Sequence, residues 1–333
     1  MTIKELSQLF MWGFEGTEVV SALKKTLKKY PPAGVILFKR NLETPHQIKT
    51  LTSGLERESQ NPLLIGIDEE GGRVSRLPQP LGRFPAASIL GDFFRKEKDS
   101  EFIRKLGRYR GHELRELGIN LNFAPVLDVN SNPKNPIIGD RAFSNDPKQV
   151  AQVACLFFEG MQKEGVLACG KHFPGHGDTH QDSHLTLPTV RKSRRALEKT
   201  ELVPFREAVR KKIPLLMTAH VVYPALDPDR PATLSSIILK DILRKQMKFE
   251  GVIISDDLEM KAVSEKYSLV ESSLLAMEAG VDLILICQNG EKAGDVVEEV
   301  FREVNRNPAL EKLARQSRVR VQKLLKKLPK VGS

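Results

Sequence analysis

GVILFKRNLETPHQIKTLTSGLERESQNPLLIGID, residues 34–68, decides the fold. Its first five residues, GVILF (34–38), are apolar on consecutive positions, as a strand buried on both faces is. A helix-length amphipathic segment follows from Pro45 to Gln60, and LLIGID (63–68) is a second apolar run of strand length. Strand, helix and strand in this order make one unit of a parallel sheet. The same alternation extends in both directions. LFMWGF (9–14) precedes the unit, and LNFAPVLDV (121–129), VLACGKH (166–172), PLLMTAH (214–220), GVIISD (251–256) and VDLILIC (281–287) follow it. Helical stretches from Asp99 to Leu117, Pro147 to Glu164, Arg194 to Lys211 and Leu269 to Ala279 lie between them, and no Pro/Ser/Gly-rich linker divides the series. Eight βα units in 333 residues predict a single-domain (β/α)₈ barrel spanning 1–333; a doubly wound open sheet is the alternative.

Polar residues then become informative by position. Asp68, the pair Lys171 and His172, His220 and Asp256 each fall at the carboxyl end of an apolar run, the edge where barrels assemble their active sites. Singly, each has an ordinary explanation as a helix cap or a satisfied structural residue. Together, four separate strands deliver ionisable groups to one rim.

The densest constellation is KHFPGHGDTHQDSHLTLP, residues 171–188, with four His, two Asp and one Lys. So many polar groups could not all be satisfied in an apolar interior, which points to a special loop. A metal site and proton transfer by a carboxylate-oriented His are both open to it. His172, His176, His180 and His184 recur every four residues, but Pro174, Gly175 and Gly177 bar the regular helix that would align them as ligands. No metal and no cofactor is expected.

In GVILFKRN (34–41), GIDEEGGRVSRL (66–77), NFAPVLDV (122–129), IGDRAFSNDP (138–147), KHFPGHGDT with DSHLTLP, MTAHVVYPALDP (217–228) with PATLS (231–235), and GVIISDDLEM (251–260), the chain resembles the family 3 glycoside hydrolases over nearly its whole length. The likeness is to the single-domain β-N-acetylhexosaminidases of bacterial cell-wall recycling. It implies a retaining hydrolase of terminal β-linked GlcNAc that passes through a covalent glycosyl intermediate. On this resemblance Asp256 is the nucleophile, His184 the acid/base and Asp182 its partner, while Asp68, Arg76, Arg141, Lys171 and His172 hold the sugar. Glu69 stands where the family usually has Gln. The residue types suit the chemistry. A carboxylate attacks the anomeric carbon, and a His, titrating near neutral pH, protonates the departing oxygen and then deprotonates water. Gly175, Gly177 and Ser183 suggest a loop that brings His184 into place when sugar binds. The alternatives are a β-N-acetylglucosaminide phosphorylase, which would share every motif, and a non-catalytic glycan-binding barrel.

Bulk composition sets the remaining limits. The formal charge of +10 is concentrated in residues 301–333, where ten Lys or Arg and two Glu give +8 and leave the rest nearly balanced. Leu310, Leu313, Ala314, Ser317, Val321, Leu324, Leu325 and Leu328 recur at helical steps, predicting a basic amphipathic helix over about 309–328 packed on the body. No aromatics interleave its charges for base stacking, so neither nucleic acid nor membrane insertion is expected. Three cysteines, Cys155, Cys169 and Cys287, exclude a disulfide framework, and charges within MTIKELSQLFMWGFEG disfavour a secretory leader; the expected location is cytoplasmic. The expected partner is a small oligosaccharide or muropeptide.

Overall fold

The computed structural model of the protein describes residues 1–59, 61–179, 187–288 and 290–328, except the side chains of residues 291 and 292. Eight parallel strands form its sheet: β1 (Phe10–Trp12), β2 (Gly34–Leu37), β3 (Leu64–Ile67), β4 (Leu121–Asn122), β5 (Leu167–Phe173), β6 (Leu215–Thr218), β7 (Val252–Ile254) and β8 (Ile284–Ile286). The spatial order is β8-β1-β2-β3-β4-β5-β6-β7. One bridge, Ile254 with Leu283, joins the two ends, with the Leu283 N–H donating to Ile253 O at 3.1 Å and the Ser255 N–H to Leu283 O at 3.0 Å. The expected (β/α)₈ barrel is thus the fold, and each of the eight apolar runs supplies one strand. Nearly every strand residue is buried because side chains on one face fill the barrel and those on the other meet the helices.

Closure at the β7–β8 seam relies on side chains as much as on backbone. Asp282 Oδ2 accepts the Ile253 N–H at 2.9 Å, Ser255 Oγ accepts the Leu285 N–H at 2.9 Å, and Asp257 Oδ1 accepts the Cys287 N–H at 3.2 Å. Asp282, fully buried, is neutralised by Arg244 and by Arg320 at 2.8 Å. Arg320 belongs to the last helix, Pro308–Leu325, which buries Leu310, Ala314, Ser317, Val321, Leu324 and Leu325. The apolar stripe lies against the body, and one cation of the basic face bolts the helix to the seam.

Two expectations need correction. The run 121–129 forms regular strand only at Leu121–Asn122; Pro125 has no N–H to donate, and the chain continues irregularly along β5 with a bridge of Val126 to Lys171. Arg194 to Lys211 is two helices, Arg194–Lys199 and Leu202–Arg210. Pro204 cannot follow a helical Thr200, because its ring would meet the carbonyl four residues earlier and its nitrogen has no proton. The break directs Glu201 inward, where it is fully buried.

Helices pack without clearance at several glycines. A Cβ on Gly91, in the helix Ala87–Glu97, would lie 1.6 Å from Phe143 O, whereas one on Gly54, in the helix Pro45–Glu58, would meet only a Val19 methyl at 3.1 Å. Gly91→Ala is therefore expected to cost about 2 kcal/mol or more in urea unfolding, and Gly54→Ala to stay within about 1 kcal/mol of wild type. Equal effects would show that backbone contact does not set the spacing of the Ala87–Glu97 helix.

Candidate active site

The carboxyl ends of the strands surround a cavity of about 390 Å³, within the range of small-ligand sites. Asp68, Arg76, Arg141, Lys171, His172 and Asp256 all line it. Each residue given a role by the family resemblance and lying in the described part of the chain is therefore brought to one place. Asp182 and His184 fall within residues 180–186, outside the described residues.

Lys171, on β5, is almost fully buried and meets a carboxylate on each side, Asp68 Oδ1 at 2.6 Å and Glu70 Oε1 at 2.6 Å. Burial would lower its pKa, but Asp68 and Glu70 more than compensate and raise it. Glu70 also accepts a bidentate pair from Arg141, Nε at 2.8 Å and Nη2 at 2.9 Å. Its burial favours the neutral acid, yet Arg141 and Lys171 hold the carboxyl well below the usual range. Asp68, Lys171, Glu70 and Arg141 thus form a continuous charged chain across the rim. Each member fixes the rotamer of the next.

Arg76 is less constrained. Its Nη2 approaches Asp68 Oδ2 only to 3.8 Å, its guanidinium lies 6.0 Å from the Phe38 ring centroid, and its buried Nε has no hydrogen-bond partner among the described residues. A buried donor without an acceptor is costly, and here it borders an open cavity where an incoming oxygen can satisfy it.

His172 is set by Asp128, a residue that sequence reading missed. Asp128 is fully buried after β4; its Oδ2 lies 2.7 Å from His172 Nδ1, and its oxygens accept the backbone N–H of His172 and, at 2.6 Å, of His176. The Nδ1 proton is therefore the one directed at Asp128, which leaves Nε2 toward Arg141 and the cavity. A carboxylate inside the apolar NFAPVLDV run was the available signal. His176 stacks edge-on to His172 at 5.7 Å, and burial together with His172 pushes it down to about 4, so it is neutral at pH 7. Among the described residues, no group of three or more His, Cys, Asp or Glu is placed to hold a metal ion.

Asp256 follows β7. Burial pushes its carboxyl up, but His220, His172, the Asp257 N–H at 2.9 Å and Lys171 outweigh that cost and lower it, so the group is an ionised carboxylate, half-buried at the cavity wall. His220 Nε2 lies 2.9 Å from Asp257 O, which can only accept, so Nε2 carries a proton. The adjacent Asp257 behaves oppositely. Burial, Glu259 and Asp256 push it up to about 7, although the N–H groups of Glu259 and Cys287 lower it. The neighbours are thereby pushed apart, Asp256 held below and Asp257 well above the ordinary carboxylate range.

On the flanks of residues 180–186, Lys192 ties the chain down. Its Nζ lies 3.2 Å from Asp178, 2.7 Å from Glu201 and 3.0 Å from Ser131 Oγ. Glu201 is the residue turned inward by the helix break, so the β5 excursion is anchored at both described ends to one ammonium.

Residues 1–324 match the Glycosyl hydrolase family 3 N terminal domain. The chain is 42% identical over 286 residues to a β-hexosaminidase of Alkalilimnicola ehrlichii, an alignment covering 84% of this chain and 81% of that one. A β-N-acetylglucosaminidase of glycoside hydrolase family 3 from Paenibacillus sp. str. FPU-7 superposes with a TM-score of 0.93 and 39% identity, covering 98% of this chain but only 62% of its own. NagZ from Neisseria gonorrhoeae, solved with N-trifluoroacetyl-D-glucosamine, gives 0.81 and 33%, covering 95% of this chain and 98% of its own. With the barrel, the rim and these likenesses together, the chain belongs to glycosyl hydrolase family 3 and is a glycoside hydrolase.

Proposed function

We propose that the protein is a retaining β-N-acetylhexosaminidase that releases terminal β-linked GlcNAc from muropeptide fragments in the cytoplasm, as a step in cell-wall recycling. The observation that carries this reading is Asp256, a half-buried carboxylate that lines the cavity and is kept ionised by His220, His172, the Asp257 N–H and Lys171. A nucleophile must be charged and poorly hydrated at once, and that environment meets both demands. The relatives named for hexosaminidase activity supply the substrate class.

In this mechanism Asp256 attacks the anomeric carbon while His184, oriented by Asp182, protonates the departing oxygen; water, deprotonated by His184, then releases the sugar with retained configuration. Asp68 and Lys171 bind hydroxyls as a paired acceptor and donor, His172 and Arg141 extend that pattern, and the unpartnered Arg76 Nε takes an oxygen of the sugar or its acetamide. Arg141 and Lys171 remain charged throughout, so the rim keeps its geometry across the working pH range.

Side-by-side assay of aryl β-GlcNAc and β-glucose, with and without phosphate, is expected to show hydrolysis of the GlcNAc substrate and free GlcNAc as product in both buffers. Appearance of GlcNAc-1-phosphate would replace the hydrolase by a phosphorylase, and sugar binding without turnover would make this a binding barrel.

Asp256→Ala should lower kcat by at least ~10³-fold with the fold intact, and a fluorosugar should label Asp256 in the wild type. Because its carboxyl is lowered, the acid limb of kcat/KM should lie below the ordinary carboxylate range, activity being lost as pH falls through that depressed value. Labelling of another residue would remove Asp256 from this role.

His184→Ala should slow substrates with poor leaving groups by ~10² to 10⁴-fold and activated ones much less in glycosyl-enzyme formation. Asp182→Asn should move the alkaline limb to lower pH, since removing a nearby negative charge disfavours the protonated ring. Equal losses on both leaving groups, or an unmoved limb, would leave His184 or Asp182 respectively with a binding or structural role.

A further inference from the structure

Arg76 reaches the cavity from an irregular segment between β3 and the helix Ala87–Glu97, so its position depends on what holds that backbone. The contacts converge on Glu69. Its Oε2 accepts the N–H of Arg76 at 2.8 Å and of Leu77 at 3.1 Å, and its Oε1 accepts the Ser75 hydroxyl at 2.6 Å. A Cβ on Gly82 would sit 3.1 Å from the same Oε1, so the turn closes tightly over the carboxylate.

Glu69 is fully buried, and so is Arg110 of the helix Ser100–Glu116, whose Nη1 lies 3.5 Å from Glu69 Oε1 and 2.6 Å from Glu113 Oε2. Glu113 accepts the Gly82 N–H at 3.3 Å, which returns the network to the same turn. Arg110 is poorly satisfied. Its Nε and Nη2 have no hydrogen-bond partner among the described residues, and its guanidinium rests 4.6 Å from the Phe84 ring centroid. Neutral side chains would fill this space at lower cost, because a buried ion pair rarely repays its desolvation through attraction alone.

What the pair secures is an acceptor on both carboxylate oxygens. A Gln at position 69 could offer one oxygen to the N–H groups of Arg76 and Leu77, but its amide protons would then face the Arg110 guanidinium, donor against donor. With an uncharged residue at position 110 that conflict disappears, and the amide can donate to Ser75 Oγ. Residues 69 and 110 are therefore matched to each other.

We propose that Glu69, countered by Arg110, is a positioning residue that fixes Arg76 at the cavity and so sets affinity for the sugar, without touching the reacting atoms. The inference rests on the reading of Arg76 as a sugar-binding residue. The Arg76 side chain is guided by little except a 3.8 Å approach to Asp68, so displacement of its backbone would pass directly to the guanidinium.

Glu69→Gln, Arg110→Met and the double variant, assayed on an aryl β-GlcNAc, test it. Glu69→Gln is expected to raise KM about tenfold with kcat within about twofold, the scale of one lost charge-assisted hydrogen bond felt equally in ground and transition states. The double variant should return KM to within about threefold of wild type, because the amide no longer faces the Arg110 guanidinium. An unchanged KM in folded Glu69→Gln, a loss confined to kcat, or a double variant as weak as the single would each overturn the proposal. Should Glu69→Gln fail to fold, the double variant alone decides, with near-wild-type KM in favour and a tenfold rise against. Calorimetric titration with GlcNAc keeps the two readings apart. Absence of turnover with GlcNAc affinity still following the same order among the variants would sink the hydrolase assignment and leave the Glu69 role standing.

Discussion

A lysine removed from water with a carboxylate oxygen at 2.6 Å on either side is the constraint from which the rim is built. An ammonium in that position is tolerable only if both partners are held in place, and both partners are useful only if they stay ionised. Arg141 supplies the second cation that Glu70 needs, and the barrel supplies rigid strand ends for Lys171 and, at the end of β3, for Asp68. The same field acts on Asp256, which lies in low-dielectric surroundings yet stays charged because His220, His172 and Lys171 face it. Arrangement precedes chemistry here. The charges are placed by the fold before a ligand arrives, so little reorganisation is left for the reaction itself.

The barrel was legible in the sequence because buried parallel strands must be apolar on both faces, and no other element leaves short unbroken runs at such regular intervals. Asp68, Lys171, His172 and Asp256 were legible for a related reason. An ionisable residue that ends such a run is carried to the rim by topology alone. Glu70 and Asp128 were less visible, since their importance lies in partners 71 and 44 residues away, Arg141 and His172, which only the closed barrel brings near. Asp128 was further concealed by reading 121–129 as uninterrupted strand, when the regular strand ends at Asn122. The single helix expected from Arg194 to Lys211 failed on Pro204, and the failure has content. The interruption aims Glu201 at Lys192, a contact that no helical periodicity could foretell.

Differences among these carboxylates follow from their company more than from their depth. Glu70 is buried and Asp256 and Asp257 half-buried, but Arg141 and Lys171 pull Glu70, and His220, His172 and Lys171 pull Asp256, below their ordinary values, whereas Asp257 faces Glu259 and Asp256 and rises to about 7. Adjacent positions in the SDD motif thus acquire distinct protonation behaviour from their neighbours, despite identical chemistry and almost identical burial.

The seam between β7 and β8 gives this arrangement a mechanical side. Most strand pairs are joined by backbone ladders, but here the Asp282, Ser255 and Asp257 side chains complete the pairing. Cooperative structure opens first where few ladder bonds must break. Asp256 stands directly on that junction, while His220, His172 and Lys171, which face it, lie on the β5–β6 side that stays paired to β7. The rim thus borders a joint that backbone bonds begin and three polar side chains complete, and the terminal helix clamps one of them, Asp282, through Arg320.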